Sequence, residues 1–218
     1  MKVLYEDNHV LCVDKPANIP VNSDETGDTD MMSLCRAYIK EKYNKPGNVW
    51  LGLVHRLDRP VGGCMGFART SKAASRLSES IRTRKVSKEY VAVLDGIPAK
   101  KEDVLEDYLV KNSRTNMVSV TDAAHGKFCR LSYRILDTDG KHALVLIHLD
   151  TGRPHQIRVQ FASRHMPLVC DQRYNPHARK GQIALWAVRL SFPHPTQNKL
   201  ITVTDLPPQP WHGFEVKL

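Results

Sequence analysis

KFCRLSYRILDTDGKHALVLIHLD, residues 127–150, holds two strand-like runs joined at Asp139-Gly140. That dipeptide suits the tight turn of a β-hairpin, so the two runs pair antiparallel. Upstream, residues 97–126 are the most polar and least regular part, which predicts short strands and loops at the surface. Before them, SKEYVAVLDG (87–96) reads as a strand closed by Asp95-Gly96, and its period of two puts Lys88, Tyr90 and Ala92 on one face. Ser71 is the expected cap of a helix with Ala74, Leu77 and Ile81 on one side, and residues 49–54 read as a strand.

Nearer the N-terminus, Met31, Leu34, Cys35 and Tyr38 recur at helical spacing until NKPGN stops the run. Thr29 or Asp30, at the end of a polar loop over 22–30, supplies the cap. KVLYEDNHVLCVDKPANIPV reads as two short strands around Glu6-Asp7-Asn8, closed by Pro16-Ala17-Asn18. Downstream of the hairpin come a helix from about 155 to 165, the strand IALWAVRLSF, and a tail, LPPQPW, whose prolines block regular structure. No internal repeat, low-complexity segment or linker appears. The expectation is one α+β domain over residues 1–218, mostly antiparallel.

Bulk composition narrows the function classes. The chain has 218 residues, enough for a sizeable core, and carries 32 Lys and Arg against 23 Asp and Glu, a net charge of +9. Such an excess suits a nucleic-acid partner, whose phosphates attract basic side chains. The five cysteines are scattered with no C-x-x-C pair, which argues for reduced thiols in the cytoplasm. Acidic residues stand where a signal peptide needs its apolar stretch. The longest apolar run, IALWAV, falls far short of the ~20 residues that span a bilayer. Phosphate-loop and dinucleotide signatures are missing, and no two histidines sit at the i, i+4 spacing of a zinc protease helix. A metal or nucleotide cofactor is therefore not expected.

Three motifs carry chemistry: HRLDRPVGG (55–63), KEYVAVLDG (88–96) and TGRPHQIRV (151–159), followed by CDQRY (170–174). In this order and spacing the chain resembles the RluA-type pseudouridine synthases, whose pattern is close to H-R-L-D-x-x-T-S-G, K-x-Y-x-A-x-x-x-G, T-G-R-x-H-Q-I-R-V and G-D-x-x-Y. The opening LYEDNHVLCVDKPANIPV and the closing LSFPHP fit as well, so the resemblance covers essentially the whole chain. Four departures stand out: Asn18 and Cys170 replace glycines, Val61-Gly62 replace Thr-Ser, and Asn175 follows Tyr174 where glycine is common.

The resemblance implies a central, mostly antiparallel mixed sheet flanked by helices and loops, with an RNA cleft, in a short form without an N-terminal RNA-binding domain. It implies a monomeric isomerase of uridine in transfer or ribosomal RNA. Asp58 becomes the catalytic aspartate, ionised beside a cation. Arg158 is the matching arginine, and Tyr90 the active-site tyrosine set against the base. Arg56 fills the gap left when the target nucleotide is extruded, a step required because the glycosidic bond is unreachable inside a stack. His55, Arg56, Arg59, Lys88, Arg153, His155 and Gln156 make up the implied RNA-binding set. Two other readings compete with this one. A non-catalytic RNA-binding module or chaperone would be expected to lose Asp58 or Arg158. A metal-dependent RNA hydrolase would use His55, His155 and Asp58.

Overall fold

The computed structural model describes residues 1–218. It divides into two compact units, Met1–Ser87 with Ala187–Leu206, and Lys88–Trp186 with Pro207–Leu218.

In the first unit, β1 (Val3–Glu6) and β2 (Val10–Lys15) form the expected antiparallel hairpin. Its turn is closed by the Asp7 carboxylate, which accepts the backbone N–H groups of His9 and Val10 at 2.7 and 2.8 Å. Helix α1 (Met31–Lys42) starts at Asp30, whose side chain accepts from the Ser33 N–H at 3.0 Å. Of the two candidate caps, Asp30 is the one used. Met31, Met32, Cys35 and Ile39 form its buried stripe. Strand β3 is only Gly52–Leu53, shorter than the expected 49–54. It ends because the next backbone donor on its neighbour, the Gly66 N–H, is taken by the His55 ring at 3.0 Å.

β4 (Gly62–Ala68) is buried along its whole length and pairs with β2 over six residues. Helix α2 (Ser71–Arg82) is capped by Thr70, one residue before the Ser71 expected, through a bond from the Ala73 N–H at 3.1 Å. Its buried face is Ala73 and Leu77, with Ala74 packed beside them; Ile81 is only half-buried. The strand order is β1-β2-β4-β10, with β10 (Leu185–Pro193) also pairing antiparallel to β11 (Leu200–Thr204). Val10, Cys12, Leu77, Leu190, Phe192 and Val203 meet in the core.

The second unit is built on β5 (Ser87–Leu94), β6 (Glu102–Lys111), β7 (Val118–Thr121), β8 (Lys127–Thr138) and β9 (Ala143–Leu149), in the order β5-β9-β8-β6-β7. Every pairing along that order is antiparallel. The opening hairpin is β8–β9, and Gly140 sits at φ +87 in its turn, where a side chain would be strained. One expectation fails here. Residues 97–126 contain β6, a ten-residue strand paired with β8 over eight positions. Leu105 and Leu109 are its buried residues; charges on both faces hide the alternation.

Helix α3 (Gln156–Ala162) is shorter than the expected 155–165 and is enclosed on all sides, every residue from Gln156 to Phe161 being buried. Phe161 packs edge-on against Tyr133 of β8 at 5.5 Å. The proline-rich tail carries only an isolated bridge between Trp211 and Phe214, in keeping with its composition.

Candidate active site

In the first unit, Asp58 lies half-buried on the loop from β3 to β4, and its carbonyl accepts the Val61 N–H at 3.0 Å in a tight turn. Behind the turn, a Cβ on Gly63 (φ +112) would come within 2.2 Å of the Ala187 carbonyl oxygen, so only glycine fits. The residue after Asp58 is tied to β2. Lys15 is 0% exposed, and its ammonium donates to the carbonyls of Pro16 at 2.9 Å and Arg59 at 3.0 Å. Burial pulls the Lys15 pKa down to about 8, against the opposing pull of the Asp58 and Asp14 charges. Sequence reasoning gave Lys15 no role; an apolar setting for a charge is visible only once β2 has packed.

Asn18 adopts φ +66, left-handed backbone that glycine takes freely and asparagine tolerates. The replacement of a glycine there therefore leaves the turn intact. The Asn18 carbonyl accepts from Arg59 Nε at 3.2 Å, and the same guanidinium holds Asp24, Thr26 and Asp28. Arg59 thus gathers the polar 22–30 loop onto the Asp58 turn. The His55 ring braces Gly66, whereas Arg56 is exposed.

In the second unit, Tyr90 is 7% exposed on β5, paired to Ile147 of β9. The turn before α3 is organised by Gln156. Its side-chain oxygen accepts from the Thr151 hydroxyl at 2.8 Å and the Arg153 N–H at 3.1 Å. Its amide donates to the Arg130 carbonyl and to Gln160, both at 3.0 Å. Gly152 leaves room for Lys88, whose Nζ would be 3.1 Å from a Cβ there; burial lowers the Lys88 pKa. Arg153 donates through Nε to the Phe128 carbonyl at 2.9 Å. His155 stands at φ +52 and shares a 2.7 Å hydrogen bond between Nδ1 and the Tyr174 hydroxyl.

Arg158 forms a two-pronged ion pair with Asp171: Nε to Oδ2 at 2.8 Å and Nη2 to Oδ1 at 2.6 Å. Both side chains are almost wholly enclosed, at 6% and 0% exposure. Planar forks of this kind suit arginine and not lysine. The guanidinium also lies over the Tyr174 ring, 5.1 Å from its centre. Asp171 further accepts the N–H groups of Arg173 and Tyr174. Burial pushes the Tyr174 phenol up from its ordinary value, and its oxygen accepts the Val118 N–H at 2.9 Å. Neither Asp171 nor Tyr174 was assigned a role from sequence, although CDQRY is part of the motif set. Cys170, the second replaced glycine, sits at φ +58.

A family model described as RNA pseudouridylate synthase matches residues 9–163. The chain belongs to that family. It is 34% identical over 183 residues to an RNA pseudouridine synthase of Zymomonas mobilis subsp. mobilis, covering 81% of this chain and 79% of the relative. The ribosomal large subunit pseudouridine synthase C of Buchnera aphidicola subsp. Baizongia pistaciae is 31% identical, and the synthase D of Pseudomonas aeruginosa is 29% identical. These two alignments cover 93% and 100% of this chain but only 65% and 63% of the relatives' lengths. The solved structure of human RNA pseudouridylate synthase domain containing 4 shares the fold, with a TM-score of 0.81 at 20% identity over 95% of this chain and 89% of that one. Membership among the RNA pseudouridine synthases, enzymes that isomerise uridine in RNA, agrees with the α+β expectation and with the antiparallel sheets described above. No helix of the chain is long and apolar enough to cross a membrane.

Proposed function

We propose that residues 1–218 act as one catalytic domain that converts uridine to pseudouridine in RNA, with ribosomal RNA of the large subunit as the substrate class. The observation that carries this is that the three motif positions hold an acid, a phenol and a guanidinium, Asp58, Tyr90 and Arg158, inside a chain of the family. An RNA-binding module without catalysis would have no need of the set. The reaction breaks the bond from the anomeric carbon to the ring nitrogen, turns the base, and rejoins it through carbon 5. The proton leaving carbon 5 is balanced by one gained at nitrogen, so no oxidant, metal or nucleotide enters the account.

In this reading Asp58 is the catalytic aspartate, Tyr90 lies against the base, and Arg158 supplies the cation. Arg56, the exposed member of its motif, fills the stack after extrusion. His55, Arg59 and Gln156, already bonded inside the protein, act by shaping the loops that meet RNA. Lys88, Arg153 and His155 supply charge and donors to RNA from the second unit. The protein works as a monomer in the cytoplasm. The test is pseudouridine mapping on large-subunit ribosomal RNA and transfer RNA transcripts incubated with the wild type or with Asp58→Asn. New pseudouridine with the wild type alone supports the assignment. Equal signal from the variant removes Asp58 from the chemistry, and no signal with either protein removes the activity.

A further inference from the structure

We propose a second RNA contact, beyond the RNA-binding set named above, on the surface formed by residues 112–117 and 172–182, which grips the phosphate backbone beside Arg158. It rests on the RNA-modifying reading above. The two loops hold Arg114, Arg173, Arg179 and Lys180, all exposed, and neither loop contains an acidic residue. One bond joins the two loops, and a second fixes the strand beside them. Arg173 Nη1 donates to the Asn116 carbonyl at 3.0 Å, and the Tyr174 hydroxyl accepts the N–H of Val118, the first residue of β7.

Each loop is also fixed internally. The Asn112 side chain accepts the N–H groups of Arg114 and Thr115 at 2.9 and 3.2 Å, and Gln172 donates to the Arg179 carbonyl at 2.6 Å. Asn175, buried at 5% exposure, anchors its loop from below through Asp95 and the Leu168 carbonyl. The cations therefore stand on a set frame, and little backbone order is lost on binding.

Their charge is not neutralised locally. Arg173 spends one hydrogen bond on a carbonyl, which carries no charge, and keeps its positive field for an anion. A surface of fixed, uncompensated guanidinium and ammonium groups suits a polyanion with regularly spaced charge. RNA is the partner favoured here because the same loop leads directly into Asp171 and Tyr174, the two residues that hold Arg158. A chain of phosphates lying on 112–117 and 172–182 would run past that arginine.

The test uses the full chain carrying Asp58→Asn, so that binding is read without turnover, and a fluorescent RNA hairpin with a uridine-bearing loop as probe. The variant adds Arg114→Gln, Arg179→Gln and Lys180→Gln, whose side chains sit at the surface, and an unchanged melting temperature checks the fold. Each lost phosphate contact flattens the log affinity against log salt line, so the slope should fall by about two and the Kd rise about tenfold at physiological salt. Arg173→Gln alone, which unties the loops, should raise the Kd as well. If the parent binds the hairpin and the triple variant matches it in Kd and slope, this inference falls and the proposed function stands. If the parent binds no RNA, the functional reading itself fails. Equal loss of affinity for polyglutamate would mark plain ion exchange and overturn the RNA assignment.

Discussion

Arg158 and Asp171 meet through two parallel hydrogen bonds, 2.8 and 2.6 Å long, with the carboxylate fully enclosed. The pair fixes the plane of the guanidinium, and Tyr174 stacked on it fixes the tilt. An arginine held in this way keeps its remaining N–H groups pointed in one direction. Removing the carboxylate would leave a cation in a buried setting.

Asp171→Asn should therefore lower stability by about 3–5 kcal/mol, the usual cost of breaking a buried pair from one side. Urea unfolding of both forms checks this. A milder variant separates orientation from stability: Tyr174→Phe keeps the ring over Arg158 and loses the hydroxyl bonded to His155 and Val118. It should lose about 1–2 kcal/mol, within the range for an orphaned buried group. An unchanged unfolding midpoint in either variant contradicts the packing described.

A second prediction concerns alkaline pH. Burial holds the Lys15 pKa near 8, below its ordinary 10.5, so between these values the unfolded chain binds more protons than the folded one. Stability then rises with pH across that window, by of order 3 kcal/mol for this group. The Lys15→Met protein lacks this pH-dependent contribution. Thermal unfolding of both proteins from pH 7 to 10.5 should show the wild type gaining on the variant; a constant gap refutes it.

At the acid end the group to watch is Asp7. Burial raises its pKa, but hydrogen bonds from the His9 and Val10 N–H groups, the Tyr5 hydroxyl and the His194 ring outweigh it and bring the value to about 2. His194 accepts the Thr196 and Gln197 N–H groups on Nδ1, which leaves Nε2 to donate to Asp7 at 2.6 Å. A carboxylate with a depressed pKa contributes stability above its unfolded value, 3.8, and loses it as pH falls toward 2. The loss should be about 2 kcal/mol, and Asp7→Asn should flatten that part of the acid denaturation curve. A wild type and variant that unfold with the same pH slope would show that Asp7 titrates normally.

Cys170 gives a prediction of opposite sign. A left-handed conformation costs a residue with a Cβ roughly 1 kcal/mol relative to glycine. Cys170→Gly should leave the melting temperature equal or higher, despite the freedom glycine adds to the unfolded chain. Cys170→Val, branched at Cβ, should lower it. A valine variant as stable as the wild type would show that the loop relaxes.

The hairpin at Asp139-Gly140, the strand at Tyr90 and the capped helices were legible because their signals are local. β6 was not, since Glu102, Asp103, Glu106 and Asp107 blur its alternation and its pairing comes from β8, some 25 positions on. The same division runs through the site. Asp58, Tyr90 and Arg158 stand in motifs that can be read as strings. Asp171, Tyr174 and Lys15 acquire meaning from burial and from partners that no spacing rule brings together. Asn18 and Cys170 show the reverse case: the glycine letters changed while the left-handed backbone stayed.

The route of the chain between the two units constrains how the protein can be made. The first unit takes residues 1–87 and then waits for 187–206, which supply β10 and β11. Synthesis runs from the N-terminus at about 5–20 residues per second, so β1, β2 and β4 leave the ribosome with an edge of their sheet still unpaired. When β10 and β11 follow, the strands of the second unit, wholly contained in 87–149, have all emerged. The later-encoded strands are thus free to pair with one another before the earlier set is complete. A ribosome that stalls before β10 leaves one edge of β4 unpaired, an apolar strand with every residue destined for burial, and such a fragment is the one on which a chaperone would act.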